Sequence, residues 1–534
     1  MAPYRDHDVT EHPGPADPSQ LGVQISEHTP LLSRLSTCVG EDAQSVSLEE
    51  HVGYAKMFWE ECSTLTKYSL PVIGTNLFEY SMILTSVISI GHISTVALAA
   101  ATISSMTASV TGFSIIQGLA STLDTVLPSA WTSDKPQLVG LWTQRMFVIT
   151  SACLVPILIV WFNCESLLLH IGQDPEVAQL ASIFLRWTSL GLPAYAVECI
   201  ARRYFQSQGL FAVPTRIILA VSPINIILNY LLVWGPAPLR LGFIGAPIAT
   251  AISYNLIAIS SVLYGVCFVE RTAWHPLSSK AFTSLGYLGL LGLGSAGQVA
   301  SEWWSWEFIG LAASFLGPVP LATQSILLST VATCFQGPYS LGIATSVRIG
   351  NLLGEMNHKR AGVAANASIV LAVTFAALFS AVVLVFRQSW GYLFNNDPEV
   401  VALVSSVLPL VALVVFFDCA NGVTSGILRA RGKQMLGAIL NLSGYYAIGL
   451  PVGFFLAFKQ DMGLAGLWWG INAATLYSSC VGVYVCVQSD WKKEVERAMA
   501  RLAIDKANLG HGLDGEGAGP YDSAFPNDEG SLRT

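Results

Sequence analysis

Twelve times in 534 residues this sequence runs for about twenty or more residues on mainly apolar side chains, the length needed to cross a bilayer as a helix. The runs fall near 67–91, 97–129, 142–163, 179–200, 215–235, 243–268, 284–314, 320–347, 363–386, 400–428, 435–458 and 464–488. A soluble domain carries about 25% charged residues, whereas this chain carries 12%, with 52% hydrophobic residues and a mean hydropathy of +0.54. A soluble protein of this size could not hide so much apolar surface from water. The expected fold class is an all-α polytopic membrane protein with twelve transmembrane helices.

Basic residues orient the crossings, because cytosolic loops collect Lys and Arg. The loops after even-numbered runs hold Lys135, Arg145, Arg202, Arg203, Arg216, Arg271, Lys280, Arg348, Lys359, Arg360, Arg429, Arg431 and Lys433. The opposite side holds Arg240, Arg387 and Lys459. Thirteen against three places both termini in the cytosol. The net charge of −8 owes much to acidic tails, rich in Pro, Ser, Asp and Gly, that cannot bury enough surface to offset ordering entropy. The expected organisation is a disordered cytosolic tail over 1–65, six helices over 66–268, a cytosolic linker over 269–283, six more helices over 284–488, and a cytosolic tail over 489–534.

The two sets of six are copies of one another. "GQDPEVAQLASI" at 172–183 recurs as "NNDPEVVALVSS" at 395–406, an offset of 223 residues that also carries Gln208-Gly209 onto Arg431-Gly432. "GFIGAPIAT" at 242–250 resembles "GLAGLWWGI" at 463–471 with a nearly unchanged offset. Six is even, so both copies insert the same way up. Two homologous six-helix lobes are therefore expected, related by a pseudo-twofold axis along the membrane normal, with the substrate path between them.

Charge inside the runs is scarce and mostly acidic: Glu79, Asp124, Glu198, Glu302, Glu307 and Asp418, with Arg186 as the one clear base. An intramembrane charge costs upward of about 2.5–3.5 kcal/mol, so acids in excess of bases imply protonation, a water-filled cavity, or both. Burial favours the neutral form of a carboxyl, the property that a proton-coupled carrier needs. Glu302 and Glu307 are separated by about 140° around a helix, so one is expected to line the path and the other to meet a neighbouring helix. Trp303, Trp304 and Trp306 surround them with aromatic faces suited to a flat or cationic ligand. Asp124, close to Pro128 and the Lys135 loop, reads as structural, and Glu198 as an ion-pair partner of Arg202 and Arg203.

Other classes are disfavoured. The ten cysteines form no Cys-x-x-Cys pair, and no His-Glu-x-x-His or Gly-x-Ser-x-Gly occurs, so neither a metal site nor an enzyme is expected. There is no basic patch with aromatic interleaving, hence no nucleic-acid partner. The first sixty residues lack an apolar h-region, so the first crossing is expected to act as the insertion signal. A lipid-linked precursor flippase of similar two-lobe architecture is the nearest alternative, but it would need a cationic cavity, and Arg186 alone is too little.

"LDTVLPSAW" (123–131), "SEWWSWE" (301–307), "TSVRIGNLLG" (345–354) and "FFDCANGVTSGILRARGKQ" (416–434), in that order, resemble the multidrug and toxic compound extrusion (MATE) family in its eukaryotic, fungal form. The resemblance runs from about residue 66 to 488. It implies a secondary transporter exporting organic solutes by proton-coupled antiport with alternating access, proton rather than sodium being the coupling ion, with no cofactor. It places proton and substrate coupling on Glu302, Glu307 and Asp418, and a structural turn on Arg348, Gly350 and Asn351. Trp303 and Trp306 would lie on the substrate path. Animal relatives carry a further glutamate where Ser329 stands, and many bacterial relatives an aspartate near Ser86. Glu79, where fungal relatives usually have glutamine, would be a substrate contact or an extra proton site.

The substrate expected from acids among aromatics is an organic cation or amphipathic metabolite, handled by a monomer in the bilayer. "EHTPLL" fits an acidic dileucine sorting pattern through Glu27, Leu31 and Leu32, leaving vacuolar and plasma membranes both open. The sequons at Asn366 and Asn441 lie within or beside membrane helices, so glycosylation is not expected.

Overall fold

The computed structural model describes residues 31–510, with side chains over 53–94 and 96–504. The chain divides between Lys56 and Met57, and the architecture below is that of the part beginning at Met57. In chain order the crossings are α1 (Leu31–Gly91, of which Gly53–Gly91 is the apolar part), α2 (Val96–Trp131), α3 (Leu138–Phe162) and α4. Helix α4 is made of two segments, Pro175–Thr188 and Leu192–Ser207, joined by a 3-10 turn at Ser189–Gly191. Then come α5 (Ala212–Trp234), α6 (Gly242–Cys267), α7 (Leu285–Ser314) and α8 (Pro318–Gly354). The last are α9 (His358–Val385), α10 (Pro398–Ala430), α11 (Gln434–Lys459) and α12 (Gly463–Val487). A thirteenth helix, α13 (Trp491–Gly510), follows outside the apolar runs.

Ten of the twelve crossings qualify on length and composition alone. The exceptions are informative. Helix α4 carries Arg186, Glu198, Arg202 and Arg203, and α7 carries glycines, serines and both glutamates. Charge in a crossing helix is costly unless protein or water surrounds it, and α4 buries Glu198, Arg202 and Arg203. On the lipid side the pattern inverts, with Leu263, Leu290 and Leu378 more than half exposed.

The repeat is visible atom by atom. Asp174 caps α4, its side chain accepting from the backbone N–H of Glu176 at 2.9 Å, and Asp397 caps α10 through Glu399 at 2.9 Å. Each cap is followed by a proline at the first helical position, where a missing N–H costs nothing. The matched Gly209 and Gly432 both take left-handed backbone, φ +78° and +75°, as do Gly242 and Gly463 at +63° and +55°. Trp161 donates to Thr111 in the first lobe and Trp390 to Thr330 in the second, each at 2.9 Å. One apolar core fills the first lobe around Leu123, Trp142 and Ile200, and another the second lobe around Val404, Val411 and Trp468.

The tails depart from expectation. Residues 57–65, read as part of a disordered tail, continue α1 and bury Glu61, Cys62 and Leu65. Glu61 accepts from Arg348 at 2.7 and 2.6 Å and from Arg360. The second tail forms α13, whose Trp491 lies on Gly362 and whose buried Glu494 meets Arg431 at 3.0 Å, Lys433 at 3.1 Å and Arg497 at 3.3 Å. Burial alone would raise the Glu494 carboxyl, yet Arg431 and Lys433 hold it below its usual range. The linker is also anchored: Gln144 donates to the carbonyl of His275 at 2.7 Å and Arg145 to Thr283 at 2.8 Å. Several bases counted as loop residues, Arg145, Arg202, Arg203, Arg429 and Arg431, are in fact buried in helices or at their ends. They serve interior acids and polar groups as well as any topological signal.

Candidate functional site

The seam between the lobes is formed by α2 against α7 and α8. Trp304 Nε1 donates to the carbonyl of Val110 at 3.0 Å, inside a one-turn π-helical stretch of α2 at Ser109–Phe113. Such stretches free a carbonyl from the regular ladder and recur at functional positions. Toward the side of the basic loops, Gly350 lies on Pro128, where an added Cβ would sit 2.7 Å from the proline Cβ. Thr132 donates to the carbonyl of Asn351 at 2.8 Å and Ser346 to that of Asp124 at 3.4 Å. Arg348, Gly350 and Asn351 thus hold the end of α8 against both α1 and α2.

The second lobe brings together two of the three acids assigned to coupling. Glu302 of α7 and Asp418 of α10 act on one another electrostatically, and Tyr445 of α11 lies in the field of both. Asp418 is 4% exposed, and its Oδ1 has no hydrogen-bond partner among the described residues; nor has the buried Tyr445 hydroxyl. Tyr445 belongs to a longer π-helical stretch, Leu442–Gly449, which turns it inward. Its neighbour Tyr446 donates to the carbonyl of Ser301 at 3.2 Å, and Gln298 donates to Ser425 at 3.0 Å, binding α7 to α11 and α10. Glu307 stands apart: its side chain is partly buried and makes no ion pair among the described residues. Trp306 packs against Trp468 with ring centroids 6.0 Å apart, while Trp303 is half-buried.

The first lobe holds a different arrangement. Arg202 donates to Glu79 at 2.7 Å, to Asn76 at 3.3 Å and to Glu198, its neighbour one turn back. Glu198 therefore pairs as expected from its spacing, and Glu79 has a cationic partner that the sequence did not reveal. Asp124 is fully buried between Arg203 at 3.9 Å and Arg429 at 3.6 Å, and neither of its side-chain oxygens has a hydrogen-bond partner among the described residues. Arg186 faces outward, half exposed and 3.8 Å from Glu165, so it contributes no interior positive charge of the kind a flippase would need.

Among the described residues no three His, Cys, Asp or Glu side chains converge as metal ligands would. A cavity of about 200 Å³ is lined by Tyr204, Glu270, Arg271 and Trp274 and includes none of Glu302, Glu307 and Asp418. The sequence reading missed Tyr445, hidden as one aromatic in an apolar run, and Arg429, taken for a loop base. The pattern of Glu27, Leu31 and Leu32 lies outside the residues whose side chains are described.

The MatE family model matches residues 71–231 and again 295–455, starts that differ by 295 − 71 = 224 residues, in step with the repeat. The chain is 37% identical over 465 residues to an uncharacterized transporter, C4B3.13, of Schizosaccharomyces pombe, covering 87% of this chain and 86% of that one. It is 33% identical to Protein DETOXIFICATION 12 of Arabidopsis thaliana, covering 84% and 93%. Its fold is similar to the crystal structure of the eukaryotic MATE transporter AtDTX14, with a TM-score of 0.79, 32% identity, and 84% and 100% of the two chains covered.

Proposed function

The chain belongs to the MatE family, a family of membrane transporters for small organic solutes, and from that premise we propose that it exports organic cations or amphipathic metabolites in exchange for protons, by alternating access. The reading is carried by half-buried Glu302 and buried Asp418 acting on one another in the second lobe, with the Asp418 Oδ1 unpartnered among the described residues. Two carboxylates close enough to interact cannot easily both be charged in a low-dielectric site. A proton, or a cationic substrate, relieves them. The two ligands then compete for the same negative charge, which is the elementary requirement of exchange.

The residues divide the work accordingly. Glu302 and Asp418 hold the proton. The Tyr445 hydroxyl can donate to whichever carboxylate is charged and accept from whichever is neutral. Trp303 and Trp306 line the approach of the substrate, and Glu307, with no ion pair among the described residues, stands further along the same helix. Glu79 is held by Arg202, which favours a positioning role for it over a free proton site. Each ligand shifts the lobes only as far as its affinity differs between their two arrangements. The transporter acts as a monomer with both termini in the cytosol, in the vacuolar or plasma membrane.

The test is exchange by purified protein in liposomes under an imposed pH or sodium gradient, with a fluorescent organic cation as reporter. Uptake driven by protons and lost in Asp418→Asn is the expected result. Uptake unchanged in both Asp418→Asn and Glu302→Gln would remove this site from the mechanism.

A further inference from the structure

Helix α10 presents Asp418, Ser425 and Arg429 on one face, since steps of seven and eleven residues each return to within about 20° of the start. Across from them α7 presents Glu302 and, one turn earlier, Gln298, which is bonded to Ser425. An arginine side chain on a helix leans toward the N-terminus, which here is toward Ser425 and Asp418. The Arg429 charge acts on Glu302. Its other neighbour is Asp124 of α2, across the seam between the lobes, at 3.6 Å from Nε.

The contact across the seam is loose. Charge-assisted hydrogen bonds close to about 2.7–2.9 Å, as Arg202 does on Glu79 at 2.7 Å. Arg429 Nε and both Asp124 oxygens, all buried, lack hydrogen bonds among the described residues. The backbone, by contrast, is pinned: Thr125 donates to the Arg429 carbonyl at 2.6 Å, and Gln434 donates to Thr125. The Arg429 guanidinium, with no hydrogen-bond partner at Nε among the described residues, thus lies near Asp124 and within the electrostatic reach of Glu302.

We propose that Arg429 is a positioning residue that links the protonation of the Glu302–Asp418 pair to closure of the lobes at Asp124. The inference rests on the proton-coupled reading above and adds the route by which a proton is felt at the seam. With both carboxyls charged, Arg429 is drawn along α10 and its hold on Asp124 weakens. With the pair protonated, Arg429 is left to Asp124, and the seam of α2 against α8 tightens. Among the described residues, the other charged or titratable groups facing this chain include Arg203 on α4, which shares Asp124; Tyr339 of α8, which acts on Arg203; Tyr445 on α11, beside the acids; Cys419 on α10 with Cys334 of α8; and Arg501 of α13, over Gly432. None of them touches both ends.

Hydrogen–deuterium exchange on the full chain in lipid nanodiscs tests this without a substrate. The segments read are 122–132 and 346–354, between about pH 5.5 and pH 8.5, after correction for intrinsic exchange, a range centred where perturbed carboxyls titrate. In the unaltered protein, opening of both segments should increase about tenfold as pH rises, a usual size for coupling between sites. Asp418→Asn and Arg429→Gln should each flatten the change, and Arg429→Lys should restore it. Asp124→Asn, which removes the other end of the same contact, should also flatten it, and it carries the test if Arg429→Gln does not fold. A flat profile in the unaltered protein overturns the link, as does a full pH step in Arg429→Gln or Asp124→Asn. Failure of proton coupling itself shows separately, as absence of pH-driven uptake in liposomes.

Discussion

Arg202 donates to Glu79 at 2.7 Å and so ties the fourth crossing to the first. Both side chains are largely buried, and Glu198 shares the same guanidinium. Removing one partner of a buried ion pair costs about 3–5 kcal/mol, because the other is left uncompensated. Arg202→Met strands two carboxylates and should prevent accumulation of folded protein. Glu79→Gln leaves Glu198 on the arginine and should yield near-normal levels. Fluorescence size-exclusion profiles of the two variants in detergent decide between these outcomes.

A second expectation concerns acid. Glu494 lies outside the membrane, with a carboxyl held below the ordinary value of 4.5 by Arg431 and Lys433 against the opposing effect of burial. A group whose folded value is depressed contributes stability that is complete above its unfolded value and lost as pH falls through the folded one. Helix α13 should therefore stay docked at neutral pH and begin to detach below about pH 4.5. Glu494→Gln should detach it at every pH. Limited proteolysis of the C-terminal region across that range reports both.

The close approach of α8 to α2 makes Gly350 sensitive to any side chain. An added Cβ would stand 2.7 Å from Pro128 Cβ, a rigid neighbour that cannot swing away. Gly350→Ala should cost about 1–3 kcal/mol, the range for overpacking. Thermal unfolding in detergent should show the loss. Gly286→Ala on α7, where nothing stands within 4 Å, should show none.

The repeated glycine turns offer an internal control. Gly209 and Gly432 both have positive φ, so alanine at either should cost about 1–2 kcal/mol in backbone strain. Around Gly209 there is open space, whereas Gly432 lies under the Arg501 guanidinium of α13. Gly432→Ala should therefore also loosen α13, and Gly209→Ala should not, a contrast that proteolysis of the C-terminal region would show.

Much of this architecture is legible in the sequence because it depends on local composition. Apolar length marks a crossing whatever its neighbours, and the capped Asp174-Pro175 and Asp397-Pro398 repeat at a fixed offset because each starts a helix by the same chemistry. The meeting of Glu302 with Asp418 is another matter: they are 116 residues apart (418 − 302) and come into each other's field only through the tertiary fold, where Gln298 of α7 bonds Ser425 of α10. Arg429 was misread for the same reason. At the end of an apolar run a base looks like a loop residue, and only the α2 contact shows it facing inward. Helix α13 did leave a signal, since Trp491, Val495, Ala498 and Leu502 recur at helical spacing. That stripe was masked by the Lys, Glu and Arg residues between them, which lower the mean hydropathy without disturbing the period.

The stripe has a mechanical consequence. Ala498 packs into the core shared by α8, α9 and α10, whereas Leu502, one turn later, packs into the core of the first lobe. A single helical turn, about 6 Å of rise over four residues, bridges the cores of the two lobes. A rigid rod clamped at both ends of a joint must pivot, slip or let go when the joint moves. On the alternating-access reading proposed above, the cycle is geared to α13, the last helix among the described residues, and anything that grips it from outside acts as a brake.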